Sequence, residues 1–158
     1  MNKKRALITG ISGQDGSYLA ELLLGKGYEV YGFVRRSGFE SFERIKHIKD
    51  RIYFVQGDLT DQSSIDAAIK KTRPDEIYNL ASQSFIPLSW EHPVLTADIN
   101  ATGVARLLES IRKFKSDARF YQASSSEMFG NAMKSPQDEK TQFNPRNPYG
   151  AAKVYAYW

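Results

Sequence analysis

Tyr149-Gly150-Ala151-Ala152-Lys153 places a phenol and an ammonium four positions apart, so on a helix both project from one face. A tyrosine phenol ordinarily titrates near 10, too high for a base at neutral pH, and an adjacent ammonium favours the phenolate. Such a pair can take a proton from an alcohol or return one to a carbonyl, provided a hydroxyl holds the reacting oxygen. Ser124-Ser125-Ser126, upstream, offers that hydroxyl. Hydride chemistry also needs a carrier. Gly10-Ile11-Ser12-Gly13-Gln14-Asp15-Gly16 follows an apolar run and opens a helical pattern. Glycines there permit a tight turn, a close backbone approach to a pyrophosphate and close helix–sheet packing. The diphosphate would meet free N–H groups at the positive end of a helix dipole. The spacing is G-x-x-G-x-x-G, a variant of the G-x-G-x-x-G fingerprint; the alternative is a plain glycine turn.

The second strand is followed by Arg35-Arg36-Ser37-Gly38, where a site for NAD would place an Asp or Glu on the ribose hydroxyl. A guanidinium suits a 2′-phosphate by charge and by its planar donor fork, so the sequence favours NADP over NAD. Two solvated arginines are the competing reading. Asp58-Leu59 and Leu80-Ala81-Ser82-Gln83-Ser84 follow the third and fourth strands, at the carboxyl ends where ligands bind open parallel sheets. Asp58 could accept from an adenine amine, and Leu80 and Ala81 could let a nicotinamide ribose lie close; each could equally be an ordinary connection. Glu127 follows the serines directly. Beside a hydride-transfer site, a carboxylate could remove a proton made acidic by a new ketone, so that a leaving group one carbon further departs. Spacing alone favours a helix- or turn-capping acid instead. His47 and His92 lack metal-ligand spacing, and no metal is expected.

These residues need elements to position them. Short strand-like runs fall at Ala6–Thr9, Glu29–Val34, Arg51–Gln56, Glu76–Leu80 and Ala118–Ala123, most of them apolar on both faces as covered parallel strands should be. Helical patterns run over Gly16–Leu24, Gln62–Lys71 and Val94–Lys113, the last preceded by Pro93. The stretch Asn131–Asn147 is polar and reads as a loop, and a last helix opens near Pro148-Tyr149. Alternating strand and helix predicts an α/β, doubly wound Rossmann-type parallel sheet.

The chain of 158 residues suits one domain with a sizeable core. A net charge of +4 with scattered basic residues argues against nucleic-acid binding. The absence of cysteine excludes disulfides and suits a reducing, cytoplasmic setting. No apolar run approaches the roughly 18 residues of a membrane span, and Thr9-Gly10 interrupts the first one at once, unlike a signal peptide.

Gly-Ile-Ser-Gly-Gln-Asp-Gly, Arg-Arg-Ser, Leu-Ala-Ser-Gln-Ser, Ala-Ser-Ser-Ser-Glu-Met-Phe-Gly and Asn-Pro-Tyr-Gly-Ala-Ala-Lys together resemble the extended short-chain dehydrogenase/reductases, and within them the GDP-mannose 4,6-dehydratases. The resemblance runs through the whole chain. It implies that Gly10 to Asp15, Arg35 to Gly38, Asp58-Leu59 and Leu80 to Ser84 line an NADP site, completed by Tyr149 and Lys153. Ser125 falls where the family usually has threonine, and Leu95 where many members have a cofactor-contacting tyrosine. Sister epimerases usually lack a glutamate at the position of Glu127, which lifts its catalytic reading. The implied reaction oxidises carbon 4 of GDP-mannose: Tyr149 takes the hydroxyl proton while hydride passes to NADP, Ser125 holds the oxygen and Lys153 tunes the tyrosine. Glu127 then takes the carbon 5 proton, the 6-hydroxyl leaves as water, and hydride returns to carbon 6. The family implies a longer chain, with the last strands and a C-terminal region that grips the sugar, and a homo-oligomer. Residues 1–158 would then be an incomplete NADP-binding domain, inactive alone, with Tyr155, Tyr157 and Trp158 exposed or self-associating. An epimerase or reductase of the same fold, or a non-catalytic dinucleotide-binding module, are the alternatives.

Overall fold

The computed structural model describes residues 3–35 and 42–158. Arg36, Ser37 and Gly38 therefore lie outside the described residues. The chain divides into two compact units: residues up to Ala81 together with Arg106–Ala123, and Ser82–Ala105 together with Ser124–Trp158.

The first unit is built on a five-stranded sheet in the order β3-β2-β1-β4-β5. Its strands are β1 (Arg5–Thr9), β2 (Glu29–Val34), β3 (Ile52–Gln56), β4 (Glu76–Asn79) and β5 (Arg119–Gln122), and every pairing is parallel. Register runs from Leu7 to Tyr31 on one side and from Leu7 to Ile77 on the other. Parallel neighbours need crossovers, and right-handed crossovers put connections of opposite direction on opposite faces. Because the order reverses at β1, α1 (Gln14–Gly25) covers one face, and α2 (Gln62–Thr72) and α5 (Gly103–Phe114) serve the crossovers on the other. The strands, the first two helices and the topology agree with the doubly wound reading, with ends shifted by one or two residues.

On the α1 side the core joins Ala6, Ile8, Val30 and Val34 of the sheet to Ala20, Leu23 and Leu24 of the helix. A 3₁₀ helix over Glu43–Arg51, absent from the sequence reading, adds Ile45 and Ile48 to this core. Its apolar residues are too few for a clear helical period, and burial alone reveals it. On the other face α2 contributes Ile65, Ala68 and Ile69. Gln62 Nε2 and Asp66 both bond to Ser110 Oγ, at 2.8 and 2.5 Å, tying α2 to α5. Asp61 caps α2 by accepting from Ser63 N–H at 2.9 Å. The edge strand β5 departs from the two-sided apolar pattern, alternating exposed and half-buried residues.

The second unit holds α3 (Ile86–Glu91), α4 (Pro93–Ala97), a π-helical segment over Asp98–Thr102, a 3₁₀ turn over Ser126–Met128, and α6 (Pro148–Tyr157). The single helix expected over Val94–Lys113 is corrected here: its pitch widens at Asp98–Thr102 before α5 begins. The expanded turn carries Asn100, which is buried. Asn100 Oδ1 accepts from Ser82 Oγ at 3.0 Å and from Gln83 N–H at 2.9 Å, and Nδ2 donates to the Gln83 carbonyl at 2.9 Å. Helix α6 packs on α3, α4, the π segment and the 3₁₀ turn. The polar stretch 131–147 is irregular, as expected, and is closed by Asn144 N–H on the Met128 carbonyl at 3.0 Å.

Candidate active site

In the first unit the candidate residues cluster at the carboxyl ends of the strands, next to the point where strand order reverses. Gly10 leaves β1 with φ +70°, a left-handed conformation that glycine adopts without strain. An added Cβ would lie 2.8 Å from Ala81 N and 2.9 Å from the Leu80 carbonyl carbon. Backbone therefore abuts backbone between the β1 turn and the end of β4. At Gly16 a Cβ would lie 2.2 Å from the Gly10 oxygen, so this glycine lets α1 close on its own turn. Gly13 is the N-cap of α1, with no side-chain cap. Gly13, Gln14 and Asp15 are exposed and Ser12 is half-buried. Ile11 is buried in the core, so only its backbone faces the turn. The first N–H groups of α1 are thus presented at the positive end of its dipole, with no Cβ in front of them at Gly13. That arrangement fits a pyrophosphate.

Around this turn, Thr9 Oγ1 donates to Asn79 Oδ1 at 2.5 Å and accepts from Ala81 N–H at 3.0 Å. Asn79 Nδ2 donates to Gln122 Oε1 at 2.8 Å. A polar chain therefore links the ends of β1, β4 and β5 and fixes Leu80-Ala81. Sequence reasoning missed it; a threonine, an asparagine and a glutamine near three strand ends were its only signal. Arg35 is exposed just beyond β2. Asp58 Oδ1 accepts from Thr60 N–H and Oγ1 at 2.9 and 2.8 Å, so one of its oxygens shapes the turn after β3. Leu59 is buried, and its carbonyl accepts from Arg106 at 3.2 Å; its side chain is a packing element.

The second unit contains Ser82, Gln83 and Ser84, the first two tied to Asn100 as described, and the four acid–base candidates. Asn147 precedes Pro148, the first residue of α6, in extended conformation, as N-cap and N1 preferences require. One turn of α6 then aligns Tyr149 with Lys153. Both are buried, at 8% and 4% exposure, and Lys153 Nζ lies 5.6 Å from the centre of the Tyr149 ring. Burial pushes the Lys153 ammonium below the ordinary lysine range, because a low-dielectric surrounding disfavours its charged form.

Ser125 is the N-cap of the 3₁₀ turn, and its Oγ accepts from Glu127 N–H at 3.2 Å. A hydroxyl has one donor and two acceptor sites, so its proton remains for another oxygen. Glu127 is half-buried. Its carboxylate does not cap the turn, as spacing alone would have it: Oε2 accepts from Asn147 Nδ2 at 2.6 Å. Gly150, in the first turn of α6, stands where a Cβ would lie 2.5 Å from the Glu127 carbonyl oxygen. The serine turn and the start of α6 are therefore held face to face. A phenol, a buried amine, a hydroxyl and an oriented carboxylate belong to one unit. That set can move two different protons.

The profile of the family described as GDP-mannose 4,6 dehydratase matches residues 7–158. A GDP-mannose 4,6-dehydratase of Vibrio cholerae is 50% identical over 165 residues, covering 99% of this chain and 44% of the relative. One of Yersinia enterocolitica is 51% identical over 164 residues, covering 98% and 44%. Among solved structures, the UDP-glucose 4-epimerase of Brucella ovis in complex with NAD superposes with a TM-score of 0.85 at 27% identity, covering 98% of this chain and 46% of that one. The chain spans less than half the length of the curated relatives it matches. Among the described residues no helix is long and apolar enough to cross a membrane.

Proposed function

The chain belongs to the GDP-mannose 4,6-dehydratase family, and from that premise we propose that the whole protein is an NADP-dependent lyase converting GDP-mannose to GDP-4-keto-6-deoxy-mannose and water. The observation that carries this reading is the Glu127 carboxylate held by Asn147 at the start of the helix bearing Tyr149 and Lys153. A dehydrogenase or epimerase needs the phenol, the amine and a hydroxyl; a second, oriented base is what water elimination adds. Gly10 to Gly16 would seat the pyrophosphate, Arg35 with Arg36, Ser37 and Gly38 the 2′-phosphate, and Asp58, Leu59, Leu80 and Ala81 the rest of the dinucleotide. Ser82, Gln83 and Ser84 would continue that lining. Residues 1–158 would act together as an NADP-binding domain.

Bound NADP would supply reversible hydride acceptance, from carbon 4 first and back to carbon 6 last. Tyr149 as phenolate takes the proton of the 4-hydroxyl, with the Ser125 hydroxyl donating to the same oxygen. Lys153 stabilises the phenolate. Glu127 takes the carbon 5 proton, acidified by the new ketone, and gives it to the departing 6-hydroxyl, which leaves as water. Tyr149 then returns its proton to carbon 5. One water is lost, and the bases end as they began. A cytoplasmic location and a homo-oligomer belong to the same proposal.

The test is mass analysis of GDP-mannose incubated with NADP and the chain continued to the length of its relatives. A product lighter by one water is expected; a product of unchanged mass would support an epimerase instead.

A further inference from the structure

The amide of Asn147 has two faces, and both are used. Oδ1 accepts from Gly150 N–H at 2.7 Å, capping α6, while Nδ2 donates to Glu127 Oε2 at 2.6 Å. The cap fixes the orientation of the amide: a flipped amide would point a donor at a donor and an acceptor at a carboxylate. We propose that Asn147 is a positioning residue that couples the helix carrying Tyr149 and Lys153 to the carboxylate of Glu127, holding Oε2 so that Oε1 is left for the substrate proton. This rests on the reading of Glu127 as the base for water elimination.

Three features support it. The contact is short and charge-assisted, the strong class of hydrogen bond. Glu127 also receives support from behind: its N–H bonds to Ser125 Oγ, and its carbonyl lies against the Cβ-free side of Gly150. The carboxylate is thus fixed at its tip by the residue before α6, and at its backbone by the first turn of α6. Finally, the site makes a specific chemical demand. Residue 147 must accept from Gly150 and donate to Glu127 at once. An asparagine does both, a serine hydroxyl can do both, an aspartate can only accept, and an alanine can do neither.

The experiment compares Asn147→Asp, Asn147→Ser and Asn147→Ala in the chain continued to the length of its relatives, with GDP-mannose and NADP. Product formation is read by mass, and reduced nicotinamide by its near-ultraviolet absorbance. Aspartate keeps the helix cap but sets a carboxylate against Glu127. Water loss in Asn147→Asp should fall about 10²-fold, the scale of a misplaced catalytic group. Oxidation at carbon 4 should persist, so reduced cofactor accumulates during turnover, a signature that a loss of fold alone does not produce. Asn147→Ala should accumulate it too, which keeps the test informative where Asn147→Asp is poorly folded. Asn147→Ser should recover at least about tenfold of the Asn147→Asp loss. Equal loss in the aspartate and serine variants, or wild-type water loss without accumulation in Asn147→Asp, would overturn the proposal. Glu127→Gln separates the two levels. If it still dehydrates normally, the reading of Glu127 fails; if it stops while Asn147→Asp does not, only the positioning role fails.

Discussion

A 2′-phosphate adds negative charge to the adenine ribose, and Arg35 stands exposed just past the end of β2, where that ribose would lie. A charge-assisted contact is worth about 1.5–3 kcal/mol, or roughly ten- to a hundredfold in affinity. Arg35→Ala is therefore expected to weaken NADP binding by that factor and NAD binding much less, by titration of each cofactor; equal losses would count against the assignment. Lys153 makes an opposite prediction for stability. Its folded-state pKa is lowered by burial, so the folded protein pays a desolvation cost whenever both states are protonated. As pH rises through the folded pKa toward the ordinary lysine value of about 10.4, the unfolded state holds more protons and stability increases. Lys153→Met should remove this rise of stability with pH, read as melting temperatures from pH 7 to pH 10, while abolishing activity; an unchanged pH dependence would count against the lowered lysine. Tyr149 and Lys153 drew attention by type and spacing alone, whereas Glu127 did so only through the family resemblance, since its spacing favoured a capping acid. Asn147 drew none: before a proline it reads as the end of a loop, and its contact to Glu127 spans 20 residues. The cap preference for asparagine ahead of an N1 proline was the available signal.

At the scale of elements, the glycines of the turn between β1 and α1 were read as permitting a tight turn, a close approach to a pyrophosphate and close helix–sheet packing. The structure shows the close packing directly, since Gly10 and Gly16 are places where backbone meets backbone. Gly10→Ala forces a Cβ to within 2.8 Å of Ala81 N at a φ of +70°. Overpacking typically costs about 1–3 kcal/mol, so a melting temperature lower by several degrees is expected even without cofactor; an unchanged one would return Gly10 to a purely ligand-facing role. The strands and the α1 and α2 patterns were readable because a covered parallel sheet imposes apolar runs and an amphipathic helix imposes a period. The π segment was not, because one widened turn leaves the apolar spacing on either side intact. What it carries is visible only in three dimensions: Asn100, bonded to Ser82 and Gln83. Helix α3 has six residues, too few to display a period at all.

At the scale of the molecule, the alternation of strand and helix was enough to expect a doubly wound parallel sheet, while the strand order came from the structure, and its reversal at β1 marks the edge where open parallel sheets bind ligands. The division of the described chain into two units did not follow, because the second unit is assembled from two separate stretches. Its significance is chemical: the four acid–base residues share that unit, whereas the glycine turn belongs to the other. The proposed water elimination turns on Glu127, the residue that would separate it from simple redox. The most direct measurement is a single turnover of GDP-mannose by wild type and Glu127→Gln, each in the chain continued to the length of its relatives, followed by mass and by reduced nicotinamide. Wild type should lose one water with only transient reduced cofactor. Glu127→Gln should keep the oxidation at carbon 4 but lose water about 10²–10⁴ times more slowly, the usual contribution of a general base. Water loss by Glu127→Gln at the wild-type rate would contradict the account.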